Sequence, residues 1–152
     1  MPETISETFT VGVFQNVEWA RRGIDALFRD GFAPHMLTVV ASDTPEAAAL
    51  IEETLGQAPD RLNLKSLNAV VAKGPMLAAL EGSDQALTSE GLAPTMRRAG
   101  FQRHDGYIFE ALVGRGGVLV AVREERRAAD ALAVLHSYGG GNAAIGAWSG
   151  RV

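Results

Sequence analysis

The chain contains no cysteine in its 152 residues, which excludes a disulfide framework, a thiol nucleophile and a thiolate metal site. No apolar stretch reaches the ~18 residues of a membrane-spanning helix. There is no basic excess: the formal net charge is −4, which argues against a nucleic-acid partner, since such a partner needs a basic face. The polar, acidic N-terminus, MPETISETFT, lacks the basic start and apolar centre of a secretory signal. A cytoplasmic protein without membrane association is therefore the expectation. Aromatic residues are few, at 7%. The two tryptophans, Trp19 and Trp148, are read either as margins of the core or as anchors of an oligomer, where tryptophan is enriched.

What the chain does have is apolar content, 47% over a length suited to one compact domain spanning 1–152. Two similar halves flank a different middle. In the first half, 9–42, FTVGVF (Phe9–Phe14) predicts a strand. Asn16 can cap the next helix, whose positions Val17, Ala20, Ile24, Leu27 and Phe28 form one apolar stripe. Gly31 ends it, and LTVVA (Leu37–Ala41) predicts a second strand. The second half, 117–148, repeats the plan. VLVAV (Val118–Val122) is a strand, a helix sets Ala128, Leu132 and Leu135 on one face, and Gly139–Gly141 breaks it. AAIGAW (Ala143–Trp148) is then a last, edge strand. One constant shift lays Ala20 on Ala128, Ile24 on Leu132, Leu27 on Leu135 and Gly31 on Gly139.

Two βαβ halves on one sheet imply an α+β, ferredoxin-like split βαβ fold with a four-stranded antiparallel sheet. FTVGVF and VLVAV, the more apolar strands, take its central places and the other two its edges. The middle, 43–113, is read as a helical insert between the halves. Thr44 caps a helix with Pro45 at its first position and a stripe of Ala47, Leu50, Ile51 and Leu55. Short apolar segments follow at Pro75–Leu80 and from Leu92 through Met96 to Gly100. This insert either covers the open sheet face or reaches a partner.

Chemistry-bearing residues are sparse. In ALVGRGGVLVAV (Ala111–Val122) the glycines follow a helix and precede a strand, the reverse of a phosphate-binding loop. Gly114 is expected as a left-handed helix cap, with anion binding by Arg115 as the alternative. The densest polar cluster is His104-Asp105-Gly106-Tyr107-Ile108-Phe109-Glu110. Asp105 either caps a helix or pairs with His104 for acid–base work, with Tyr107 and Glu110 facing the same way at i and i+3. The histidines, His35, His104 and His136, show no HxH or HxxxH spacing, so neither a metal site nor a cofactor is expected. His136 falls in the last turn of a helix, where the dipole favours it. The second-half arginines, among them Arg97, Arg98, Arg103, Arg123, Arg126 and Arg127, read mostly as solvated faces.

VGVFQNVEWARRGIDALFRDGF, LAPTMRRAGF and YIFEALVGRGGVLVAV, with a final helix ending in glycine, resemble the bacterial general-stress-protein domain family of the heat-induced type. Ala99-Gly100, Tyr107, Glu110, Gly116-Gly117-Val118-Leu119-Val120 and Val122 occupy that family's pattern. Many relatives carry a long glycine-zipper hairpin in the middle. Here only LNAVVAKGPMLAAL stands in its place, broken by Lys73, Gly74 and Pro75. The resemblance implies a stress context and a fold but no catalytic residues. The leading expectation is a non-enzymatic module that self-associates and binds a partner or small ligand. A homodimer is expected through the last strand, at Ile145 and Trp148. Two alternatives stand beside it. One is a small ferredoxin-like enzyme or cofactor- or metal-binding protein with a pocket near His104, Tyr107 and Glu110. The other is a peripheral membrane or envelope-associated stress protein.

Overall fold

The computed structural model describes residues 7–124, 126–138 and 144–148, with backbone placement alone for Glu7 and Ala144–Trp148. The first half forms β1 (Glu7–Phe14), α1 (Val17–Arg29) and β2 (Leu37–Ser42). Asn16 caps α1 by accepting the Trp19 N–H at 2.9 Å. The second half forms β5 (Val118–Arg123), α7 (Ala128–Ser137) and β6 (Ala144–Trp148). The expected break at Gly139–Gly141 lies outside the described residues.

The middle is not wholly helical. α2 (Pro45–Leu55) starts as anticipated, with Thr44 accepting the Ala47 N–H at 3.1 Å. A hairpin of β3 (Asp60–Leu64) and β4 (Asn68–Lys73) follows. Its turn places Ser66 and Asn68 at φ 74° and 64°, a conformation that Asn tolerates better than most residues. Then come α3 (Met76–Glu81), α4 (Ala86–Glu90), α5 (Leu92–Thr95) and α6 (Arg103–Gly114), with a 3₁₀ turn at Met96–Ala99.

The hairpin corrects the expected four-stranded sheet. Among the described residues the sheet has six strands in the order β3-β4-β2-β5-β1-β6, each neighbouring pair antiparallel. β2 is not an edge, because β4 pairs along it from Val39↔Lys73 to Ser42↔Val70. β1 and β5 hold inner places. Among the described residues the edges are β3 and β6.

Both faces of the sheet are covered. On one, Ile24 and Leu27 of α1, Leu50 and Ile51 of α2 and Leu135 of α7 pack on Phe14, Val39, Val71, Val118, Val120 and Val122. On the other, Met76 and Leu80 of α3, Leu87 of α4, Leu92 of α5 and Phe109 of α6 pack on Phe9, Val11, Val13, Val40 and Leu119. The insert thus covers the face that the two halves leave open. This explains why VLVAV is apolar without alternation: Val118, Val120 and Val122 face one layer while Leu119 and Ala121 face the other. Complete burial of Phe9 and Phe14 contributes about 2 kcal/mol each.

One buried polar atom breaks the pattern. Thr10 is 0% exposed, and its Oγ1 has no hydrogen-bond partner among the described residues. Thr10→Val keeps the shape and removes the stranded hydroxyl. It is expected to raise unfolding free energy by about 1 kcal/mol in urea titration, and a loss of stability would contradict that account.

Candidate functional site

The helix carrying the polar cluster begins at Arg103, three residues earlier than a cap at Asp105 requires. Gln102 precedes it and makes no side-chain capping bond, so the capping role of Asp105 is corrected. Its carboxylate instead lies in the first turn of α6, where the helix dipole favours negative charge. His104 is exposed and Tyr107 is 51% exposed. Glu110 is half-buried, and its Oε2 accepts the Ala93 N–H at 3.1 Å. That bond satisfies a free donor in the first turn of α5, so Glu110 is committed to holding α5 on α6. The hollow beside Tyr107, lined by Glu90, Pro94, Arg97 and Arg103, measures about 150 Å³. Ligand pockets run from roughly 300 to 1,000 Å³. Arg115 sits at the far end of α6, ~16 Å along the axis from His104 at the helical rise. Arg115 is therefore remote from the Tyr107 hollow, as its separate place beside the glycines implied.

The glycine cluster is a helix terminator. Gly114 is the last helical residue, and the left-handed position is Gly116, with φ 99°. The Gly116 N–H reaches the Val113 carbonyl at 3.0 Å and the Gly117 N–H the Leu112 carbonyl at 2.9 Å. These two bonds close the helix in the Schellman pattern. Exposed Arg115 stands between them as the C-terminal cap residue.

Arg98 is buried and Arg127 is held in place across the fold, so neither is a freely solvated arginine. Arg98 is 4% exposed and grips Asp84 with both terminal nitrogens, at 2.9 and 2.7 Å. Its Nε has no partner among the described residues. The bidentate bond from Arg98 holds the Asp84 carboxyl below the ordinary aspartate value of 3.8. Arg127 joins the two halves. It donates to the Asp30 carbonyl at 2.7 Å and carboxylate at 2.9 Å and lies 4.4 Å from the Phe32 ring centre. Trp19 is half-buried against the α1 side of the core under Arg22, which favours the core-margin reading for it.

The Arg98–Asp84 pair is asymmetric, which sets a prediction. Removing Asp84 strands a buried cation, whereas removing Arg98 leaves only an exposed carboxylate. Asp84→Ala is therefore expected to destabilise clearly more than Arg98→Met, measured by thermal melting at neutral pH. Because the Asp84 pKa is depressed in the folded state, the pair's contribution is present above 3.8 and lost as pH falls below it. The gap between wild type and Asp84→Ala should narrow in that acidic window.

A larger hollow lies elsewhere, between the end of α2, the start of β3 and the β4–α3 turn. It measures about 690 Å³. His35, exposed on the 3₁₀ turn Pro34–Met36, stands on its wall with Gln57. Leu55 and Leu77 supply apolar surface. Lys73 and Asp60 face each other there at 3.6 Å. Sequence reasoning missed this cleft because its walls belong to the hairpin, which the helical reading of the middle concealed. His35, His104 and His136 stand on three separate elements. Among the described residues no cluster of three metal-ligating side chains occurs, and no helix is long and apolar enough to cross a membrane. Comparison with protein-family models, curated proteins and solved structures finds no match to this chain, so the functional reading rests on its own residues.

Proposed function

We propose that the protein is a stress-associated, non-enzymatic α+β module that acts by self-association through β6 and by binding a partner or small ligand. The stress association rests on the resemblance of the VGVF, AGF and GGVLV segments to the general-stress-protein domain family. The finer fold reading is a split βαβ, ferredoxin-like unit of β2-β5-β1-β6 with α1 and α7, extended beyond β2 by the hairpin.

The observation that carries self-association is the place of β6 in a sheet whose two faces are already covered. Only the edges then offer backbone groups for pairing. The β3 edge carries exposed Asp60 and Arg61, charges of the kind that discourage strand addition. β6, with the sequence AIGAW, has none. It pairs with β1 on one side, from Glu7↔Trp148 to Val11↔Ala144, and with no strand on the other among the described residues. A second copy joined there by a two-fold axis would use the same strand from each subunit. Sedimentation equilibrium at micromolar concentration is the test. The expected mass is twice the 16.1 kDa of one chain. A 16.1 kDa species throughout the range would reject the proposal.

A further inference from the structure

We infer that the cleft between α2, β3 and the β4–α3 turn is a binding site for a small amphiphile with a single carboxylate. This deepens the ligand half of the proposed function and is independent of the dimer. At about 690 Å³ the cleft falls within the ~300–1,000 Å³ range of ligand sites, unlike the hollow beside Tyr107.

The charge arrangement at the cleft chooses the head group. The Lys73 Nζ lies 3.6 Å from the Asp60 Oδ2, beyond the 2.7–3.2 Å of a hydrogen bond to nitrogen. An ammonium carries three N–H donors. The Lys73 ammonium makes no hydrogen bond within the described residues, although the side chain is only 30% exposed. Its cation is thus held near an anion without being saturated, and an incoming carboxylate can supply the missing acceptor. Asp60, 57% exposed, already neutralises part of that charge. A lysine so neighboured suits one negative charge better than two.

The walls choose the body. Leu55, Leu77 and Pro75 give apolar surface next to the Lys73–Asp60 pair, so an aliphatic chain can lie along it with its head at Lys73. These walls are fixed in place. Gly74, at φ 133°, turns the chain sharply out of β4 against the β2 backbone. Buried Thr38 then accepts the Met76 N–H at 2.9 Å, which anchors the start of α3. The cleft is accordingly formed before a ligand arrives.

Hexanoate is the probe, with 1-hexanol as the uncharged control, titrated by calorimetry into the full chain. Hexanoate is expected to bind one per chain, and 1-hexanol about tenfold more weakly or worse. Lys73→Gln should weaken hexanoate by about tenfold, whereas Asp60→Asn, which removes the competing anion, should tighten it severalfold. Opposite effects from two neighbouring substitutions are not what a merely structural role would give. Should Lys73→Gln fail to fold, Asp60→Asn alone still decides the matter. Absence of hexanoate heat at millimolar concentration, equal affinity for hexanol, or weaker binding by Asp60→Asn would overturn the inference. Sedimentation of the same samples reads the dimer separately, so either proposal can fail without the other.

Discussion

Gly74→Ala is expected to lower the free energy of unfolding by about 4 kcal/mol or more, a large share of a typical domain's stability. Two effects add. At φ 133° an L side chain is strained before it touches anything. The added Cβ would also lie 2.3 Å from the Thr38 Cα and 2.4 Å from the Leu37 carbonyl oxygen. Those are backbone atoms of β2, which is paired on both sides, by β4 and by β5, and cannot move aside cheaply. Gly56→Ala is the control. Gly56 is also left-handed, at φ 70°, but its Cβ would meet nothing within 4 Å. It should cost only ~1 kcal/mol, the strain without the collision. Urea midpoints of the two variants measure the difference. Equal losses would show that the close approach at Gly74 carries no weight.

The second large effect is expected from Ile145→Glu. β6 has only five residues, so any pairing with a second copy brings position 145 within a residue or two of the two-fold axis. The substitution then sets a carboxylate from each chain into a short shared ladder, where like charges repel. We expect dimer dissociation to be favoured by about a hundredfold, leaving mostly the 16.1 kDa chain at micromolar concentration. Trp148→Ala should act in the same direction, by about tenfold. A dimer indifferent to both substitutions would move the interface to the helices of the insert.

The two halves of the fold are legible in the sequence because their signals are local and agree with one another. Asn16 and Thr44 are capping residues and do cap. VLVAV, an unbroken apolar run, lies in a sheet covered on both sides. The hairpin was hidden because DRLNL and NAVVAK are short and mixed. Their pairing is made by Ser66 and Asn68 in left-handed conformation, not by an Asn-Gly turn. The loss of that hairpin misplaced the sheet edge and removed the cleft from view. The structural role of Glu110 was illegible for a different reason. Glu110 spends its carboxylate on the Ala93 N–H, a contact 17 residues away that no helical periodicity reveals. Buried Arg98 was equally illegible, since its partner Asp84 sits in a loop whose course only the packing of α3 and α4 determines.

Hydrogen exchange of the β6 amides as a function of protein concentration tests the central claim most directly. In an antiparallel edge strand, alternate N–H groups point away from the neighbouring strand and exchange with water. If a second copy pairs there, those amides within Ala144–Trp148 are slow at high micromolar concentration and become fast on dilution, while the β3 edge at Asp60–Leu64 is unchanged. Exchange in β6 that ignores concentration, while the mass in solution still doubles, would contradict the account.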